Sequence, residues 1–145
     1  MFQRILLPTD GSSLSERAVL AGVALANAFG AGVAGLTVVP EFQTLSLDPE
    51  MLEDSAEQFR CGAEARAGRH LDFIATTAQA AGVPCTVERT TSDEPWQAII
   101  DTARARHCDL VVMASHGRRD VRAALLGSET QKVLVHSDIP VLVYR

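Results

Sequence analysis

The stretch Asp109-Leu-Val-Val-Met-Ala-Ser-His-Gly117, read together with the residues that carry it on to Val143, decides the fold. An apolar run ends at a glycine turn. After nine residues, Arg118 to Leu126, Gly127-Ser128-Glu129-Thr130 opens a helical pattern that extends to His136. Ile139-Pro140-Val-Leu-Val143 then forms a second apolar run. The segment reads as strand, loop, helix, strand. Asp109–Ala114 is apolar without alternation, as expected of a central parallel strand covered on both faces. A loop that leaves a strand and enters a helix brings free backbone N–H groups and the positive end of the helix dipole to one place, a setting that suits a phosphate group. Glycine allows close backbone approach there, or a positive φ.

The rest of the chain repeats the alternation of strand and helix. Phe2–Pro8 is a strand stopped by Pro-Thr-Asp-Gly-Ser. Ser13 with Glu16 has the spacing of a capping box, and Leu14, Ala18, Ala21, Leu25 and Ala28 follow at helical intervals up to Gly30. Gly32–Pro40 is the second strand. Residues 41–50 show no period and read as a loop. Leu52 to Ala78 carries a long helical pattern, with Gly62 and Gly68 as points where it could waver. Gly82-Val-Pro leads into a third strand through Glu88, and Glu94-Pro95 opens a helix whose inner face is Trp96, Ile99, Ile100 and Ala103. With Asp109–Ala114 and Pro140–Tyr144 this makes five strands. Helices between them imply right-handed crossovers and an α/β fold with an open, doubly wound parallel sheet. Nothing in the punctuation marks a linker or repeat, so residues 1–145 are expected to form one domain.

Composition limits the function classes. Hydrophobic residues make up 47% and charged residues 21% of the 145, and net charge is −5. That balance provides no basic field for nucleic acid or an anionic membrane surface. The apolar run at the N-terminus is too short for a signal peptide, and no window is long enough to span a bilayer, so a cytoplasmic location is expected. Three cysteines, Cys61, Cys85 and Cys108, form no CxxC pair and read as reduced, mostly buried thiols. The four histidines make no metal-ligand spacing. His70 is expected on the outer face of the long helix, and His116 in the glycine turn as an exposed loop histidine.

Two motifs, Ile5-Leu-Leu-Pro-Thr-Asp-Gly-Ser12 and the segment quoted first, give the chain its resemblance to the universal stress protein family, as a single-domain member over essentially its whole length. Nucleotide-binding members of that family carry Gly, two residues, Gly, nine residues, then Gly followed by Ser or Thr. Gly117, Gly127 and Ser128 match; the first glycine is Ala114. The resemblance implies the strand order 3-2-1-4-5 and a stress-response or regulatory protein that binds ATP or AMP at the carboxyl ends of strands 1 and 4. It places Pro8, Thr9 and Asp10 near ribose and adenine, and Val38 against the base. Met113, Ala114 and Gly117 would line the ribose and α-phosphate, with Gly127, Ser128, Glu129 and Thr130 at the outer phosphates. It also implies a homodimer through antiparallel pairing of the two fifth strands.

The residues leave alternatives open. Ser128, with Gln131 three residues on, has capping-box spacing and is equally explained as a helix cap. Asp10 before a glycine is equally an Asx-turn. Glu129 suits its own helix dipole. Arg118, Arg119 and Arg122 either clamp phosphate or form a solvated loop. The charges of Asp120 and Glu129 would oppose phosphate unless the arginines or Mg²⁺ offset them. Enzyme signatures such as G-x-S-x-G, HExxH and GxxxxGK[ST] are missing from the sequence, so at most slow ATP hydrolysis is expected. Three readings follow: an adenine-nucleotide-binding regulator read by an unknown protein partner, a nucleotide-free dimer acting through protein contacts, or a slow ATPase.

Overall fold

The computed structural model describes residues 1–41, 49–117 and 125–145, with 49–55 as helix backbone. The elements alternate: β1 (Arg4–Pro8), α1 (Ser13–Phe29), β2 (Gly32–Val39), α2 (Pro49–Ala80), β3 (Cys85–Thr91), α3 (Pro95–Ala105), β4 (Leu110–Ala114), α4 (Ser128–His136) and β5 (Val141–Tyr144). The sheet is parallel throughout, in the order β3-β2-β1-β4-β5. Ile5 is in register with Val33 on one side and Leu110 on the other. The Asp109 carboxylate accepts the N–H groups of Gln3 and Arg4, at 2.8 and 3.1 Å, and so fixes the start of β1 against β4.

Alternation along the strands divides the core into two layers. Ile5, Leu7, Val33, Leu110 and Val112 face α1 and α2, meeting Val19, Val23, Ile74 and Ala78. Leu6, Ala34, Leu36, Val111 and Met113 face α3 and α4, meeting Ile99, Ala103 and Val133. All five residues of β4 are buried, as its apolar run requires. Cys108 lies in the second layer, where burial pushes its thiol up to about 11 and leaves it an inert hydrophobe at neutral pH. Cys85 is half-buried and Cys61 is exposed, so the expectation of mostly buried thiols holds for Cys108 but fails for Cys61.

Several boundaries differ from the sequence expectation. The cap of α1 is Ser12, not Ser13: its hydroxyl accepts Ser15 N–H at 3.2 Å. Upstream, Asp10 accepts Ser12 N–H at 2.9 Å and Ser12 is extended, so the helix begins at Ser13, one residue earlier than expected. Pro49 is the first residue of α2, since a fixed φ and a missing N–H suit a helix start. Of the expected loop, residues 42–48 lie outside the described residues. Neither Gly62 nor Gly68 interrupts α2. The third strand starts later than expected, at Cys85, and continues to Thr91. His70 does not face outward: its ring packs on Gly11.

Gly35 of β2 sets the distance between the sheet and α2. A Cβ there would stand 2.8 and 2.9 Å from Ile74 side-chain carbons and 3.0 Å from Val87 Cγ1, closer than packed carbons approach. Gly35→Ala should therefore destabilise the protein by about 1–3 kcal/mol through overpacking. Thermal unfolding checks this; an unchanged melting temperature would show that α2 floats on the sheet instead of docking.

Candidate functional site

At the carboxyl ends of the strands, β1 leads into α1 on one face and β4 leads toward α4 on the other. This divergence opens a cleft of about 540 Å³ between their loops, within the range of small-molecule sites. Its floor is Pro8, Leu36, Thr37, Val38, Met113 and Ala114. Three helix starts reach it, at Ser15 of α1, Pro95 of α3 and Ser128 of α4. Every site residue expected from the sequence lines this cleft except Gly127, which lies beside it as the N-cap of α4.

The β1–α1 turn is built from its own side chains. Thr9 Oγ1 accepts Gly11 N–H at 3.1 Å and shares a 2.9 Å hydrogen bond with Ser15 Oγ, so this buried hydroxyl is engaged in the turn. Asp10 forms the Asx-turn to Ser12 and stays exposed toward the cleft. Gly11 takes φ +74°, a conformation glycine adopts without strain.

Across the cleft, β4 ends at Ala114, where the resemblance supposes a glycine. Among the described residues, the non-glycine position with positive φ is His107, not Ala114. Ala114 keeps strand geometry, in register with Tyr144, and its methyl group carries no backbone penalty. Gly117 also lacks positive φ; its constraint is contact, because a Cβ there would collide with Asp10 Oδ2. The residues after it, including Arg118, Arg119, Asp120 and Arg122, lie outside the described residues. Gly127 N–H donates to Ser115 O at 2.7 Å and returns the chain to the root of β4.

The capping box expected at Ser128 is not formed. Gly127 is the cap and Ser128 the first helical residue, while Gln131 Nε2 donates to Leu126 O. Helix geometry leaves the N–H groups of Ser128, Glu129 and Thr130 without intrahelical acceptors. The Thr130 hydroxyl donates to Ala114 O at 2.9 Å and is buried. Glu129 Oε2 accepts Trp96 N–H at 2.9 Å, capping α3, whose own cap residue Glu94 makes no side-chain hydrogen bond to it. Asp93 accepts Glu41 N–H at 2.9 Å.

Residues 1–145 match the sequence model of the universal stress protein family. The chain belongs to that family. A universal stress protein of Thermus aquaticus is 34% identical over the whole of both chains. The solved structure of protein MJ0577, a universal stress protein of Methanocaldococcus jannaschii, superposes with a TM-score of 0.79 at 26% identity, covering 99% of this chain and 96% of that one. A universal stress protein solved in complex with cAMP gives a TM-score of 0.73 at 26% identity, over 99% and 97% of the two chains. Against this universal stress protein fold, sequence reasoning had found the β1 and β4 sides of the cleft and missed the α2 side, formed by Ala63, Arg66, Ala67 and His70. Their helical spacing was the available signal: 63, 66, 67 and 70 fall on one face. Ser92 and Asp93, after β3, were also missed.

Thr130 ties α4 to β4 beneath the cleft. Thr130→Val should cost about 1–3 kcal/mol by leaving the Ala114 carbonyl without that donor, whereas Thr130→Ser should retain most of the stability. Denaturant unfolding of the two variants distinguishes a hydrogen-bonding role from simple packing, for which valine would be neutral.

Proposed function

We propose that this universal stress protein is a regulatory protein that binds an adenine nucleotide, ATP or AMP, in the cleft between β1 and β4. The observation that carries this reading is the meeting of three helix starts at a cleft of about 540 Å³ where the strand order reverses. The N–H groups of Ser128, Glu129 and Thr130, with the Gly127 cap, suit phosphate oxygens. Asp10 suits ribose hydroxyls as an acceptor, and Pro8, Val38 and Met113 offer apolar surface to a base. The relative in complex with cAMP supports the ligand class. Ala114 fits as well as glycine, because its backbone is that of an ordinary strand. On this reading any Mg²⁺ would arrive with the phosphates; among the described residues no group of three His, Cys, Asp or Glu could hold a metal ion. On the same reading two copies pair antiparallel along β5, which forms one edge of the sheet and leaves Leu142 40% exposed.

Calorimetry with AMP and with Mg-ATP tests the site. Native protein and Ala114→Gly should bind with the same affinity within about threefold, since the backbone at Ala114 does not call for glycine. Gly117→Val should lose binding by forcing Asp10 out of position. No heat at millimolar nucleotide in both native protein and Ala114→Gly would refute nucleotide binding. Separately, Val141→Lys combined with Val143→Lys should convert a dimer to monomer or aggregate; light scattering that finds an unchanged dimer rules out the β5 interface.

A further inference from the structure

We infer that His70, far from the β1–α1 turn in sequence, is a positioning residue for the ligand and acts through Asp10. The inference rests on the nucleotide reading above. α2 brings His70 to the turn because Ala63 and Ala67, on the same helix face, are small and buried, 5% and 3% exposed, and let the helix approach closely. The imidazole then occupies the space that a side chain at position 11 would fill. A Cβ on Gly11 would collide with His70 Nε2 and stand 2.6 Å from Cε1. His70 Nδ1 is buried. Gly11, at φ +74°, leaves open the space a side chain would fill, and the ring of another element occupies it and backs the turn.

The other side of the turn carries Asp10. Its Oδ1 accepts Ser12 N–H at 2.9 Å, and its Oδ2 lies where a Cβ on Gly117 would fall. The carboxylate is therefore set between its own turn and the β4 loop, and the turn is set against His70. Removing the imidazole empties the space against Gly11 and leaves the turn held by its own hydrogen bonds. Asp10 would then sample other orientations, weakening the ligand through Asp10 even though His70 itself also borders the cleft. A direct contact between His70 and phosphate is the competing arrangement, and it predicts a different ligand dependence.

Calorimetry with AMP and with adenosine on native protein, His70→Ala, His70→Phe, Asp10→Ala and the His70→Ala/Asp10→Ala pair decides between them. His70→Ala should weaken AMP and adenosine alike, by about tenfold, equal to about 1.4 kcal/mol. His70→Phe, which keeps a flat ring against Gly11, should restore most of that affinity. Adding His70→Ala to Asp10→Ala should cause no further loss. The inference is overturned by a full His70 effect in the Asp10→Ala background, or by a loss for AMP with none for adenosine, which signals direct phosphate contact. Unchanged affinity with a lower melting temperature overturns it in favour of a purely structural role. If native protein binds AMP but His70→Ala leaves the affinity intact, only this inference falls; if native protein binds neither ligand, both readings fall.

Discussion

The cleft depends on β1 being the strand at which the chain changes direction across the sheet. To one side run β2 and β3, and α1 and α2 together cover one face of the sheet. To the other run β4 and β5, with α3 and α4 on the opposite face. Neighbouring strands whose following helices leave toward opposite faces cannot close over their own ends. The gap that results needs no special residue to create it. What the particular residues do is decide which groups point into it.

Those groups resolve a difficulty of charge. The protein carries a net charge of −5, and Asp10, Asp93 and Glu129 all line the cleft, which looks hostile to an anion. Each carboxylate, however, accepts a backbone N–H: from Ser12, Glu41 and Trp96. Hydrogen bonds to a charged acceptor are stronger than those between neutral groups, though water weakens the exposed ones. The nearby Lys132–Glu129 ion pair, at 3.6 Å and largely exposed, adds little by comparison. Asp93 and Glu129 thus serve as struts of the rim, Asp10 stays exposed at the cleft, and the start of α4 adds the positive end of its dipole there.

Local signals in the sequence carried the fold. The unbroken apolar run of β4, Glu94-Pro95 before α3 and Gly30 after α1 each mark an element by its own chemistry, and each stands where that chemistry requires. The α2 wall was less visible because an alanine face looks the same whether it borders a core or a cleft. Ser12 displaced Ser13 as a cap, with Asp10 taking the Ser12 N–H. Glu129 was expected at the outer phosphates, with its own helix dipole as the alternative; it also caps α3, a partnership 33 residues apart in sequence that no local pattern reveals. The backbone at Ala114 could not be read from composition, since a missing glycine matters only where φ or contact demands one.

The hydrogen bond from Gly127 N–H to Ser115 O joins the two ends of a loop at its root, beside the hydrogen bond from Ser115 N–H to Tyr144 O. A loop closed at its base hands the geometry of its ends to the sheet, whatever lies between them. The start of α4 therefore inherits its position from β4 and β5, so strain on that edge of the sheet would be felt at the rim of the cleft.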